Sequence, residues 1–233
     1  MAEILGATKE KRRKKQARLH VVRAAVLGAS DGIVEIAGLV VGVAAASPST
    51  SVILIAGVAG ALAGAFSMGA SEYASAHSQL DAEKAAIEAE KLELAMDPTG
   101  EERELMQIYV EKGLSHNTAL QVARELTNHD AFEAHADAEL GIDPHAHINP
   151  WSGAISSLLS FMLGSIIPLI AIIISPAEWR IPITVLVVIL ALTLTGSLSA
   201  SAGEARKIPA VFRVIIGGLI AIGVTYAVGQ LIG

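Results

Sequence analysis

The chain has 233 residues, 52% of them hydrophobic and only 17% charged, with a mean hydropathy of +0.54. A soluble domain carries about 25% charged residues, so this composition excludes an ordinary soluble globule, a disordered chain and a nucleic-acid binder built on a basic surface. The charge is also segregated. Residues 78–148 hold 16 of the 23 acids and 5 of the 17 bases, a net of −11, and there is no cysteine to form a disulfide, a thiolate metal site or a nucleophile.

Residues 1–23 form a basic arm with Lys9, Lys11, Arg12, Arg13, Lys14, Lys15, Arg18 and Arg23. Beside a membrane span such a cluster reads as a topology signal and an anionic-lipid contact rather than a nucleic-acid arm. The first apolar run, 24–46, is interrupted by Asp31 and Glu35. The second covers about 52–71 and continues as helix beyond Glu72, so that residues 24–77 make two transmembrane helices. Each run has the roughly 20 residues a helix needs to cross a bilayer. Both are rich in glycine: Gly28/Gly32, Gly38/Gly42 and Gly60/Gly64 are GxxxG pairs, a spacing that lets helix backbones approach closely.

An ionised carboxylate at mid-bilayer costs on the order of 3 kcal/mol even on the lenient insertion scale. Asp31 therefore reads as functional. Glu35, four residues on, shares its helix face. Glu72 stands at the end of the second run, one turn after Met68, whose thioether can ligate a transition metal. Together Asp31, Glu35, Met68 and Glu72 can line a cation pathway; packing for Met68 and snorkelling for Glu72 remain alternatives.

The acidic segment 78–148 reads as a three-helix unit. The first helix continues out of span two to the Asp97-Pro98-Thr99-Gly100 turn. The second covers about 101–112 and closes at Gly113; the third, capped by Ser115, covers about 116–140 and closes at Gly141. Leu105, Ile108 and Tyr109 with Ala119, Val122 and Leu126 give only a thin apolar stripe. Glu90/Glu93 and Glu101/Glu104 are i,i+3 pairs and His135/Glu139 an i,i+4 pair, the spacing by which helix bundles converge carboxylates on di-metal centres. Oxygen donors with one imidazole suit Fe(II) or Mn(II). The competing reading is a solvated charged face.

Residues 149–233 supply three further apolar runs, about 152–175, 181–202 and 214–233, all free of charge. The 203–213 loop carries Arg206, Lys207 and Arg213, and the opposite side shows only Arg180. The positive-inside rule then places the N-terminus, the 78–148 segment and the 203–213 loop in the cytosol. The fold class is all-α: a polytopic membrane protein with five transmembrane helices and a cytosolic three-helix bundle inserted between spans two and three.

Several ordered motifs resemble the vacuolar iron transporter family. They are Ser30-Asp31-Gly32; Ser67-Met68-Gly69-Ala70-Ser71-Glu72-Tyr73; Ser78-Gln79 and Asp81-Ala82-Glu83-Lys84; Ile108-Tyr109-Val110-Glu111-Lys112-Gly113-Leu114-Ser115; His129-Asp130-Ala131-Phe132-Glu133-Ala134-His135; Asn149-Pro150-Trp151; and Thr225-Tyr226-Ala227-Val228-Gly229. The resemblance covers about 19–233. It implies a five-span homodimer in the lipid bilayer that moves Fe(II), and often Mn(II), out of the cytosol in exchange for protons, with no organic cofactor and no nucleic-acid partner. It places the pathway carboxylate and thioether on Asp31 and Met68, and the cytosolic glutamates on Glu90, Glu93, Glu101, Glu104 and Glu139. Where plant members have a methionine on the third helix, this chain has His135. The membrane implied is the plasma (inner) membrane for a bacterial chain and the vacuolar membrane for a plant or fungal one. A non-transporting alternative, a membrane-anchored di-metal oxidase or a metal sensor or buffer centred on the acidic bundle, leaves Asp31 without a role.

Overall fold

A computed structural model describes residues 2–143, 149–203 and 205–233, with side chains from Arg18 onward. The basic side chains from Lys9 to Lys15, Glu204 and the last residues of the 78–148 segment lie outside the described part. The described residues are all-helical: α1 (Ala2–Ala46), α2 (Thr50–Met96), α3 (Pro98–Glu111), α4 (His116–Ala138), α5 (Pro150–Ile174), α6 (Arg180–Ala202) and α7 (Lys207–Ile232). Five of them, α1, α2, α5, α6 and α7, are long and apolar enough to cross a membrane. The chain divides into two compact units, residues 1–75 with 149–233, and residues 76–148.

In the membrane-spanning unit α1 is the central element, packed by α5, α6 and α7. The glycine pattern explains how. A Cβ at Gly32 would collide with the carbonyl of Phe161, and one at Gly164 on α5 with the carbonyl of Ala29. The two backbones therefore touch, as GxxxG spacing allows. On the next face of α1, Gly42 meets Thr225 and Gly229 of α7. The α1 pairs, Gly28/Gly32 and Gly38/Gly42, are thus used within one chain. Ile33, Ile36, Val40 and Val41 of α1 join Ile53, Ala61 and Ala65 of α2, Phe161 and Ile172 of α5, Val188 and Leu192 of α6 and Ile222 of α7 in one core.

The two ends of the spans are distinct. At one end His20, Glu72 and Gly153 meet. At the other, the buried Arg180 donates to the Pro48 carbonyl and the Thr50 hydroxyl, both at 3.3 Å, and Gln230 donates to the Ala45 carbonyl. Arg180, which reads from sequence as the one base on its side, is thus a clamp between the α1–α2 link and α6. Inside the spans, hydroxyls bond back to their own helices: Ser165 to Phe161, Thr184 to Arg180, Thr193 to Ile189 and Ser197 to Thr193. Without water, these bonds occupy the hydroxyls of those four side chains, whereas the buried Ser157 hydroxyl on α5 has no partner among the described residues.

The second unit is built from the end of α2 with α3 and α4. Asp97 caps α3, accepting from Gly100 N–H at 2.9 Å with Pro98 in the first turn. This starts α3 three residues earlier than the turn chemistry implies, because Pro is tolerated where the helix needs no donor. Ser115 caps α4, and Gly113 (φ 100°) and Gly141 (φ 63°) supply the left-handed residues that end α3 and follow α4. One feature departs from the expected continuous third helix. At Asp130 the backbone turns extended (φ −162°, ψ 99°), and its Oδ1 accepts from Glu133 N–H at 2.9 Å. Asp130-Ala131-Phe132-Glu133 is an N-cap signature in mid-helix, so α4 stops there and restarts.

Candidate metal centre

The restart of α4 aims His135 into the acidic unit. Its side chain is fully buried (0% exposed), and its Nδ1 lies 3.0 Å from Glu90 Oε1, 3.5 Å from Glu101 Oε2 and 3.4 Å from Glu139 Oε2. Glu90 comes from the end of α2, Glu101 from the first turn of α3 across the Asp97 cap, and Glu139 from the end of α4. Three carboxylates surround one ring nitrogen, which can donate at most one proton. Among the described side-chain atoms, Glu90 Oε1, Glu101 Oε2 and His135 Nε2 are buried with no hydrogen-bond partner. A buried unsatisfied polar atom costs roughly 1–3 kcal/mol.

Burial is the main force that raises the carboxyl pKa of Glu90 above its ordinary range. Glu139, Glu101 and Glu93 push in the same direction, and His135 opposes them. Burial likewise leads for Glu101, with Glu104, Glu93 and Glu139 adding to it against His135. Such a cluster calls for a cation. Donor atoms of Glu90, His135 and Glu139 lie within 4.8 Å of one another, close enough to share an ion. Hard carboxylate oxygens with one imidazole fit Fe(II), Mn(II) or Zn(II). Because Glu90 is only 2% exposed and His135 is fully buried, a freely solvated acidic face does not describe this end of the unit. Glu93 and Glu104 are exposed. They stand near enough to repel Glu90 and Glu101 but do not join the buried set.

Asp31, Glu35, Met68 and Glu72, which read from sequence as a cation pathway, are arranged differently. Asp31 and Glu35 are exposed on the surface of α1, among apolar helices. Glu35 Oε1 leans toward α2, 3.2 Å from where a Cβ on Gly64 would stand. Met68 borders the apolar core, half-buried. Glu72 is half-buried with Oε1 3.7 Å from His20 Nε2. His20 does not stand out in the sequence, sitting inside a basic arm; its one signal is a position one turn ahead of the first apolar run. The Asp130 break is visible only as a cap motif, overruled there by continuous helical periodicity.

The profile of the VIT family matches residues 22–230. A vacuolar iron transporter of Acanthamoeba castellanii is 39% identical over 211 residues, covering 90% of this chain and 78% of that protein. Vacuolar iron transporter homolog 4 of Arabidopsis thaliana is 32% identical over 217 residues, 93% of this chain and 86% of its own length. Vacuolar iron transporter homolog 1 of Oryza sativa subsp. japonica is 32% identical over 218 residues, with 93% and 76% covered.

Proposed function

The chain belongs to the VIT family, and we propose that it is a homodimeric transporter that moves Fe(II) or Mn(II) out of the cytosol in exchange for protons. The observation that carries this reading is the pair Asp31 and Glu35, two carboxylates exposed on the surface of a membrane-spanning helix. Against lipid, each would cost on the order of 3 kcal/mol or more. A second copy laid on this face would cover both, and would join two sets of carboxylates around a shared, hydrated path. An enzyme centred on the acidic unit leaves these two carboxylates without a use; a transporter needs them.

The remaining roles follow from chemistry. Asp31 draws a divalent cation into the low-dielectric layer. Glu35, four residues away, can exchange a proton for that ion, because two neighbouring carboxylates resist simultaneous ionisation. Met68 offers a soft ligand between them and Glu72. The buried Glu90, Glu101 and His135, with Glu139, Glu93 and Glu104 on their exposed side, gather metal. By the positive-inside rule, the basic arm with Arg206, Lys207 and Arg213 supports a cytosolic side for the N-terminus and residues 78–148.

The test is flux of Fe(II) and Mn(II) into sealed vesicles holding the purified chain, with and without a pH gradient. Asp31→Asn keeps the side-chain shape and removes the charge. It should abolish most of the flux while the dimer persists, and a proton-permeable ionophore should stop uphill movement. Flux near the unmutated level in Asp31→Asn would sink the assignment.

A further inference from the structure

We propose that His20 and Glu72 form a divalent-cation loading site at the mouth of the pathway, a site that rests on the transport reading above. His20 lies on α1 just before its apolar run, and Glu72 on α2 just after its own. Their donor atoms, Nε2 and Oε1, are 3.7 Å apart. That is too long for a hydrogen bond. It is the separation that two ligands present when each stands roughly 2.1 Å from one ion at an angle of about 120°. His20 Nε2 is a buried atom and has no hydrogen-bond partner among the described residues.

The third helix is shaped to the pair. A Cβ at Gly153 of α5 would lie 3.1 Å from His20 Nε2 and 3.2 Å from Glu72 Oε1. Any side chain at this position would crowd both donors, which glycine leaves free. The side chains remain 31% and 26% exposed, so water and a hydrated ion reach them without the site dissolving into bulk solvent.

The position suits loading. Asp31 is eleven residues beyond His20, about 16 Å along α1, and Met68 is one turn deeper than Glu72, about 6 Å. An ion held by His20 and Glu72 stands at the threshold, sheds part of its water for one imidazole and one carboxylate, and has Met68 and Asp31 ahead of it. The mixed N/O donor pair favours Fe(II), Mn(II) and Zn(II) over Ca(II) and Mg(II), which take oxygen ligands.

The competing account is an ion pair that braces α1 against α2, and substitution separates the two. His20→Lys keeps a cation facing Glu72 and removes a metal ligand. His20→Asp keeps a ligand and destroys the ion pair. The probe is Mn(II), followed by electron paramagnetic resonance on the full chain in detergent, in a background carrying Glu90→Gln, His135→Ala and Asp31→Asn so that the other sites are silent. His20→Lys and Glu72→Gln should each weaken Mn(II) binding by about tenfold or more, a typical effect on a metal site of losing a group that shapes it. His20→Asp should stay within a few-fold of the parent. Gly153→Ala retains both donors and fills the space, and should also weaken binding, which keeps the test open should a charge change disturb folding. In vesicles without the background changes, His20→Lys should raise KM for Mn(II) far more than it lowers the maximal rate, as expected when binding ahead of the slow step is lost. Unchanged Mn(II) binding in His20→Lys, or equal losses in His20→Lys and His20→Asp, would overturn the loading site. Mn(II) binding that follows this pattern while Asp31→Asn transports normally would sink the transport reading and leave the metal site standing.

Discussion

At the scale of single residues the molecule concentrates its tension on His135 and the carboxylates about it. Glu90 and Glu101 have pKa values raised by burial above the ordinary 4.5. The sign of the consequence is fixed. A carboxyl whose folded pKa is raised contributes stability below its ordinary pKa, and that contribution is lost as pH rises through the raised value. Without metal, the α3–α4 region should therefore be better protected on the acid side of the raised values and loosen as pH rises through them. Amide hydrogen exchange on the metal-free full chain measures this directly. Mn(II) supplies positive charge and should restore the protection lost above those values, by linkage between binding and folding. Protection that stays flat from acid to alkaline pH would mean that the cluster is open to water. Glu90→Gln should remove part of the pH dependence and, with it, much of the Mn(II) effect.

Among the helices, what the sequence discloses and what it hides divide along a physical line. Span lengths, the segregation of charge and the cap at Ser115 are local properties, and each is legible from neighbouring residues, whereas Asp97 reads from sequence as part of a turn and caps α3 in the structure. So is the close approach of α1, through its glycines, although the spacing does not say that α5 and α7 are the partners. Convergence is not local. The i,i+3 spacing treats Glu90 and Glu93 alike, and likewise Glu101 and Glu104. Only the way α2, α3 and α4 pack decides that Glu90 and Glu101 are buried while Glu93 and Glu104 face water. His20 illustrates the same limit, because its meaning comes from Glu72 and Gly153, far away in the chain. The Asp130 break gives an element-scale test. Asp130→Ala removes the side chain that accepts from Glu133 N–H, and loss of such a cap costs about 1 kcal/mol. Because His135 lies beyond the break, this exposed substitution should also weaken metal binding in the acidic unit by several-fold in calorimetry. Asp130→Ser, which can still cap, should keep most of the affinity. Metal affinity unchanged in Asp130→Ala would separate the break from the site.

For the whole molecule, the homodimer proposed above turns on which surface a second copy would cover. The outward faces of α6 and α7 are ordinary lipid-facing surfaces, with Leu186, Leu190, Leu194 and Leu198 of α6 and Ile216 and Ile220 of α7 exposed. The exposed stretch of α1 is not, since it carries Asp31 and Glu35 beside Leu27. A two-fold interface is self-complementary, so that each residue near the axis meets its own copy or a close neighbour of it. Leu27, one turn before Asp31, then lies near the axis, whereas Leu190 points into lipid. The chain has no cysteine, so single-cysteine variants carry no background thiol. A disulfide needs Cα atoms within about 7 Å. Under mild oxidation in native membranes, Leu27→Cys should form a covalent dimer in high yield and Leu190→Cys should stay monomeric on a denaturing gel. The cross-link should fade when Asp31 is replaced by a bulky tryptophan, which would force the two faces apart. Cross-linking of Leu190→Cys in place of Leu27→Cys would move the dimer to α6, and would leave Asp31 and Glu35 facing lipid. The hydrated path between two copies would then have no walls, and the shared pathway would have to be abandoned.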